Sequence, residues 1–187
     1  ENRHSPGKRM KAAVVAANEE VRAARKKRGT DDDMGTTLVG AWIGPEGLRW
    51  VSVGDSLLLL IREEKMFLLN TLHQYSTELE QMVEEGSISR EALSHPSRHS
   101  LTSALMGKEV PLVDLHDECF PLLPGDRLLV ASDGVGPYLD SLGPAGMRYL
   151  SLLSAEELVR SVLDGIGRDG APNQDNATLI CVEITGA

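Results

Sequence analysis

The 187-residue sequence predicts an α+β protein in which an antiparallel sheet, or a pair of sheets, is covered by helices. Three observations lead there. Strand-like runs crowd together between residues 36 and 70, with joins too short for a crossover helix. Helical periodicity brackets them, once near the N-terminus and again before the last strand. That last run, "ATLICVEI" (177–184), has the two-residue alternation of a half-buried strand.

The elements follow in order. Residues 8–28 read as a helix, because Met10, Val14, Ala17, Val21 and Ala24 recur at spacings of four and three. Gly29 ends it, and "TDDD" (30–33) is a polar connection. "TTLVGAWI", "RWVSVG", "SLLLLIR" and "MFLLN" are strands joined by "GPEG", "REEK" and similar turns, as in a meander. Leu79, Met82, Val83 and Leu93 supply the apolar positions of a helical region that breaks at Gly86 and Ser87. Ser89 caps a second short helix there, and Pro96 stops it. "VPLVDLHDE" and "DRLLVAS" return to strand character. Ser154 and Glu157 then form a capping box ahead of the stripe Leu158, Val162, Ile166. Gly165 and Gly167 are expected to end this helix, leaving "RDGAPNQ" as a loop before the final strand.

Composition narrows the function classes. A net charge of −9 argues against a general nucleic-acid-binding surface. The basic run "RAARKKR" (22–28) lies where cations complement a helix C-terminus. The two cysteines, Cys119 and Cys181, read as small buried hydrophobes in a reducing compartment. No apolar run has the roughly 20 residues needed to span a bilayer. The expectation is a cytoplasmic protein without a membrane partner.

Three acidic turns invite a chemical reading: Asp55 in "VGDSLLLL", Asp133 in "VASDGVG" and Asp175 in "NQDNATLI". Asp133 follows an apolar strand and Asp175 precedes one. If those strands pair antiparallel, both carboxylates reach the same edge, where a hard divalent ion relieves their repulsion. Gly134 then allows a tight turn beside the ion. Asp-Gly and Asp-Asn are equally ordinary turn dipeptides, and spacing alone leaves both readings open.

The segments "GTTLVGAWI", "VSVGDSLLLLI", "MVEEGSISREALSHPSRHSLTSALMG", "PGDRLLVASDGV" and "DNATLICVEI" together resemble the protein phosphatase 2C family, bacterial type, in order and spacing. The resemblance runs from about residue 10 to 185. It implies an antiparallel β-sandwich flanked by helices, in α-β-β-α layers, with a two-metal site for Mn²⁺ or Mg²⁺ at one end. It further implies Asp133 and Asp175 as metal ligands, supported by the turns at Gly134, Asn176 and Asp55. The implied activity is hydrolysis of phosphoserine and phosphothreonine in proteins by a metal-activated water, with phosphoprotein substrates and a Ser/Thr kinase pathway as counterpart.

The sequence departs from the family pattern at several points. The early acidic ligand, the Asp-Gly turn that bridges both metals and the phosphate-binding basic residue have no match, so residues 1–187 are expected to form a single, N-terminally incomplete domain. Such a domain would be weakly active by itself and would present an open sheet edge. Neither "LDGIGRDG" (163–170) nor "DDDMG" (31–35) is a good substitute for the bridging turn. Leu57, His99 and Ser103 stand where the family often has Arg, Asn and Arg. "LHQYS" (72–76) lacks the acidic third-metal ligand, and His73 within it reads as a solvated turn residue. These departures motivate a second reading, a catalytically inactive phosphatase-like domain with a regulatory or interaction role. His4, His95, His99 and His116 lack zinc-ligand spacing. An aspartyl-phosphate enzyme is disfavoured, because no DxDx(T/V) loop follows the first strand.

Overall fold

A computed structural model describes residues 5–29, 34–172 and 174–185; His4, Asp31, Asp32 and Asp33 lie outside the described residues. The chain forms two compact units. One is drawn from the stretch ending at Ile43, from Arg49–Asp55 and from Thr71–Glu118. The other takes Gly44–Leu48, Ser56–Asn70 and the chain from Cys119 onward.

The first unit is organised by α1 (Pro6–Arg28). Ser5 caps it, its hydroxyl accepting from the Lys8 N–H at 3.4 Å, and Pro6 occupies the first turn, where no N–H is needed. Gly29 closes it at φ 63°. Met10 and Val14 are buried against Val51, Val53 and Leu105, and Ala17 and Val21 pack at the margin. This is the stripe that the four-and-three spacing marks out. The sheet in order β1 (Leu38–Gly44), β2 (Gly47–Val53), β5 (Asp114–Phe120) has its buried residues on β2, among them Trp50, Val51 and Val53. Thr36 lies outside β1 and makes only an isolated bridge to Leu105. In α2 (Tyr75–Glu84) only Leu79 is buried, and Met82 faces solvent. The segment after Ser89 is a 3-10 turn, Arg90–Ser94, in which Ser89 makes no side-chain cap bond to the backbone.

The second unit holds an antiparallel sheet in order β4 (Lys65–Leu68), β3 (Leu57–Arg62), β6 (Arg127–Ala131), β7 (Leu179–Glu183). Leu57 through Ile61 are all buried, so β3 is covered on both faces and its sequence reads as a continuous apolar run. The β3–β4 hairpin turns at Glu63 and Glu64, with φ 49° and 63°. Arg62 at the end of β3 bonds the buried Asp126 at 2.8 and 2.6 Å, and the Leu123 N–H donates to the same carboxylate at 2.7 Å. Burial by itself would raise the Asp126 carboxyl, but the guanidinium and the N–H outweigh it and hold it below the ordinary carboxylate range.

Residues 136–152, to which periodicity assigned no element, form two helices, α3 (Gly136–Ser141) and α4 (Gly143–Leu152). Their Pro137 and Pro144 look like breakers in the sequence, but each sits in a first turn, where proline is favoured. The last helix, α5 (Ala155–Asp169), packs against β7 and α3. Gly165 and Gly167 do not end it. It continues to Asp169 and closes at Gly170, φ 55°, so the loop begins later than "RDGAPNQ" suggests. Gly165 is a packing glycine, since a Cβ there would collide with the Tyr138 ring. Among the described residues, no helix is long and apolar enough to cross a membrane.

Candidate metal-binding site

The register of β6 and β7 brings the two acidic turns together. Leu129 pairs with Cys181 and Ala131 with Leu179, and a further backbone bond joins the Ser132 N–H to the Thr178 carbonyl at 3.0 Å. Asp133 therefore leaves one strand at the sheet end where Asp175 enters the other. Both residues are exposed.

Each carboxylate is oriented locally. An Asp133 oxygen accepts from the Gly134 N–H at 2.9 Å, and an Asp175 oxygen accepts from the Asn176 N–H at 2.7 Å. The Ser132 hydroxyl accepts from the Thr178 N–H at 3.0 Å and donates to the Asn176 carbonyl at 3.1 Å. Gly134 is the middle residue of a 3-10 turn (Asp133–Val135) and has no positive φ. Its glycine requirement is one of space: a Cβ would lie 2.6 Å from the Asn176 carbonyl oxygen and 3.0 Å from that of Asp175. The close approach of two backbones, not a tight left-handed turn, requires glycine here.

Asp55 is buried and accepts from the Gln74 side-chain amide at 2.8 Å, which makes its turn a structural join. His73, expected in solvent, is 5% exposed. Its Nδ1 accepts from the Gly54 N–H at 3.1 Å, and its own N–H donates to the Gly54 carbonyl at 3.0 Å. Burial pushes its imidazole below the ordinary histidine value, against a smaller opposing effect from Asp114. The alternation signal could not distinguish this environment from a polar turn.

The positions that depart from the family pattern have structural duties. Leu57 is buried in β3. The Ser103 hydroxyl is buried, donates to the Leu112 carbonyl at 2.8 Å and accepts from its N–H at 3.2 Å. His99 is exposed and accepts from the Arg98 guanidinium at 2.8 Å. His116 stacks on Trp50 at 3.9 Å, and His95 accepts from the Ser97 N–H at 3.2 Å. The cysteines differ from expectation. Cys119 is exposed at the end of β5, while Cys181 is half-buried with its thiol pushed up to about 11 by burial.

The donor set at the Asp133–Asp175 turns is all oxygen, which suits a hard divalent ion. The two backbones that bear them also approach closely, at Gly134 and Asn176. These residues fit part of the coordination shell of Mn²⁺ or Mg²⁺. Among the described residues, no group of three or more His, Cys, Asp or Glu side chains could hold a metal ion.

No family model matches the chain. The chain is 30% identical over 179 residues to the serine/threonine protein phosphatase PstP of Mycobacterium tuberculosis, covering 94% of this chain and 32% of that protein. It thus spans about a third of the length of that curated relative. The crystal structure of the M. tuberculosis phosphatase PstP/Ppp is similar with a TM-score of 0.73 and 26% identity, over 98% of this chain and 76% of that one. A catalytic domain of PstP in complex with two manganese ions shares the fold, with a TM-score of 0.72 and 22% identity over 100% of this chain and 74% of that one. The two antiparallel sheets with flanking helices are the fold that these proteins have. In sequence along nearly its whole length and in fold, the chain is similar to bacterial serine/threonine phosphatases, in line with the resemblance of its motifs to the protein phosphatase 2C family.

Proposed function

We propose that the chain carries the β6–β7 part of the metal centre of a phosphoserine/phosphothreonine protein phosphatase, with Asp133 and Asp175 as carboxylate ligands to Mn²⁺ or Mg²⁺. The observation that carries this reading is the meeting of the two acidic turns at one end of β6 and β7, in a chain related to PstP. The chemistry such an ion would supply when bound is Lewis acidity, which makes water more acidic and offsets charge on phosphoryl oxygens. The chain's own residues supply the frame. Asp133 and Asp175 would hold the ion, Gly134 lets their turns approach, and Ser132 and Asn176 keep both turns in line with the strands. The natural substrates on this reading are phosphorylated proteins, the counterparts of Ser/Thr kinases, in the cytoplasm.

Calorimetric titration with Mn²⁺, combined with a phosphopeptide hydrolysis assay, tests the proposal. The wild type should bind Mn²⁺, and its hydrolysis of phosphothreonine peptide, weak for a domain without the bridging turn, should occur only with the metal present. The Asp133→Asn Asp175→Asn double variant should lose both. Unchanged binding in the double variant refutes the ligand assignment, whereas binding without hydrolysis points to the inactive, regulatory reading.

A further inference from the structure

The β6–β7 ladder ends at the Ser132–Thr178 bond, beyond which neither segment is a strand, although the two backbones stay close at Gly134 and Asn176. Asp133–Val135 coils into a 3-10 turn, while 174–178 approaches without regular structure. Side chains join them from this point on. The Gln174 carboxamide nitrogen carries two hydrogens and lies 2.8 Å from the Gly134 carbonyl oxygen and 2.8 Å from that of Asp175. One amide therefore ties the residue following one carboxylate to the residue bearing the other. The Gln174 backbone is itself held by its N–H bond to the Ala171 carbonyl at 3.1 Å.

We infer that Gln174 is a positioning residue, a clamp that sets the relative placement of the Asp133 and Asp175 carboxylates and thereby the affinity for the divalent ion. The inference rests on the reading above that these two residues hold such an ion. Two carboxylates without a cation repel and tend to spread. The amide opposes that spreading by gripping the backbones beneath them, so the ion meets a pair already in place. Gln174 itself is exposed, and water can replace a lost amide donor there. Its removal therefore loosens the pair while leaving the fold intact.

The test compares wild type with Gln174→Met, which keeps the side-chain length and removes both N–H donors. Mn²⁺ titration should show affinity weakened roughly ten-fold, as for other residues that orient metal ligands. The thermal midpoint without metal should stay within about 2 °C of wild type. Hydrogen exchange in the metal-free protein should be faster at the Gly134 and Asn176 amides, whose bonds go to the two aspartates. Unchanged affinity, or a loss that only accompanies a fall in the midpoint, overturns the clamp. If the wild type binds no Mn²⁺, the ligand reading fails on its own, and exchange decides the clamp separately: faster exchange in Gln174→Met supports it and unchanged exchange refutes it.

Discussion

His73 shows how a single side chain can bind a turn through its neutral form. Its Nδ1 accepts from the Gly54 N–H, so a proton on that nitrogen would set two donors against each other. The charged group that acts on it is Asp114, which accepts from Trp50 and Thr71, and Asp55, the chain neighbour of Gly54, accepts from Gln74. The folded-state pKa is lowered, chiefly by burial, so on acidification the unfolded chain takes up its proton first. The stability from this site is complete above the ordinary histidine value of about 6.5 and is lost as pH falls through the folded-state value. Asparagine at 73 places an oxygen where Nδ1 sits and does not titrate. Urea unfolding from pH 7.5 to 5 should show the wild type losing stability relative to His73→Asn, by at most about 1.4 kcal/mol per pH unit. Parallel pH profiles would remove the imidazole from the explanation.

At the scale of elements, α5 separates local signals from packing. Its start is fully encoded nearby. The Ser154 hydroxyl accepts from the Glu157 N–H at 3.3 Å, and the Glu157 carboxylate accepts from the Ser154 N–H at 3.0 Å. The stripe Leu158, Val162, Ile166 is buried as its spacing requires. Its end is not encoded in the same way, because two of its glycines serve the interior of the helix or nothing at all. A Cβ on Gly165 would meet Tyr138, whereas one on Gly167 would have nothing within 4 Å. Gly167→Ala should therefore stabilise by about 1 kcal/mol, the helix-propensity difference. Gly165→Ala should destabilise by about 1–3 kcal/mol, because overpacking exceeds the same propensity gain. Chemical denaturation of the two variants side by side measures both signs, and equal shifts would deny Gly165 its packing role.

For the whole molecule, a divalent ion held as proposed by Asp133 and Asp175 would couple binding to folding. An ion that binds the native chain alone stabilises it by about 2.7 kcal/mol at a hundred-fold excess over Kd. For a chain of this length that is a rise in thermal midpoint of about 5–10 °C. Mn²⁺ should produce that rise in the wild type and none in the Asp133→Asn Asp175→Asn variant. A scanning-calorimetry trace unmoved by saturating Mn²⁺ would contradict the coupling.

The sequence by itself determined what depends on neighbours a few residues away: the α1 stripe from Met10 to Val21, the Ser154–Glu157 cap, the apolar run of β3, and the placing of Asp133 after one strand and Asp175 before another. Helical and strand periods repeat within a few residues, and caps and turns close within four, so these features are written locally. Tertiary structure alone decided the matters of register and burial. Pairing of Ala131 with Leu179 put the two carboxylates at one end, and the approach of Asn176 made Gly134 obligatory. Tyr138 gave Gly165 its role, and surrounding elements buried His73. Each of these depends on contacts between residues far apart in the chain, and composition and spacing carry no information about which distant backbone will be the neighbour.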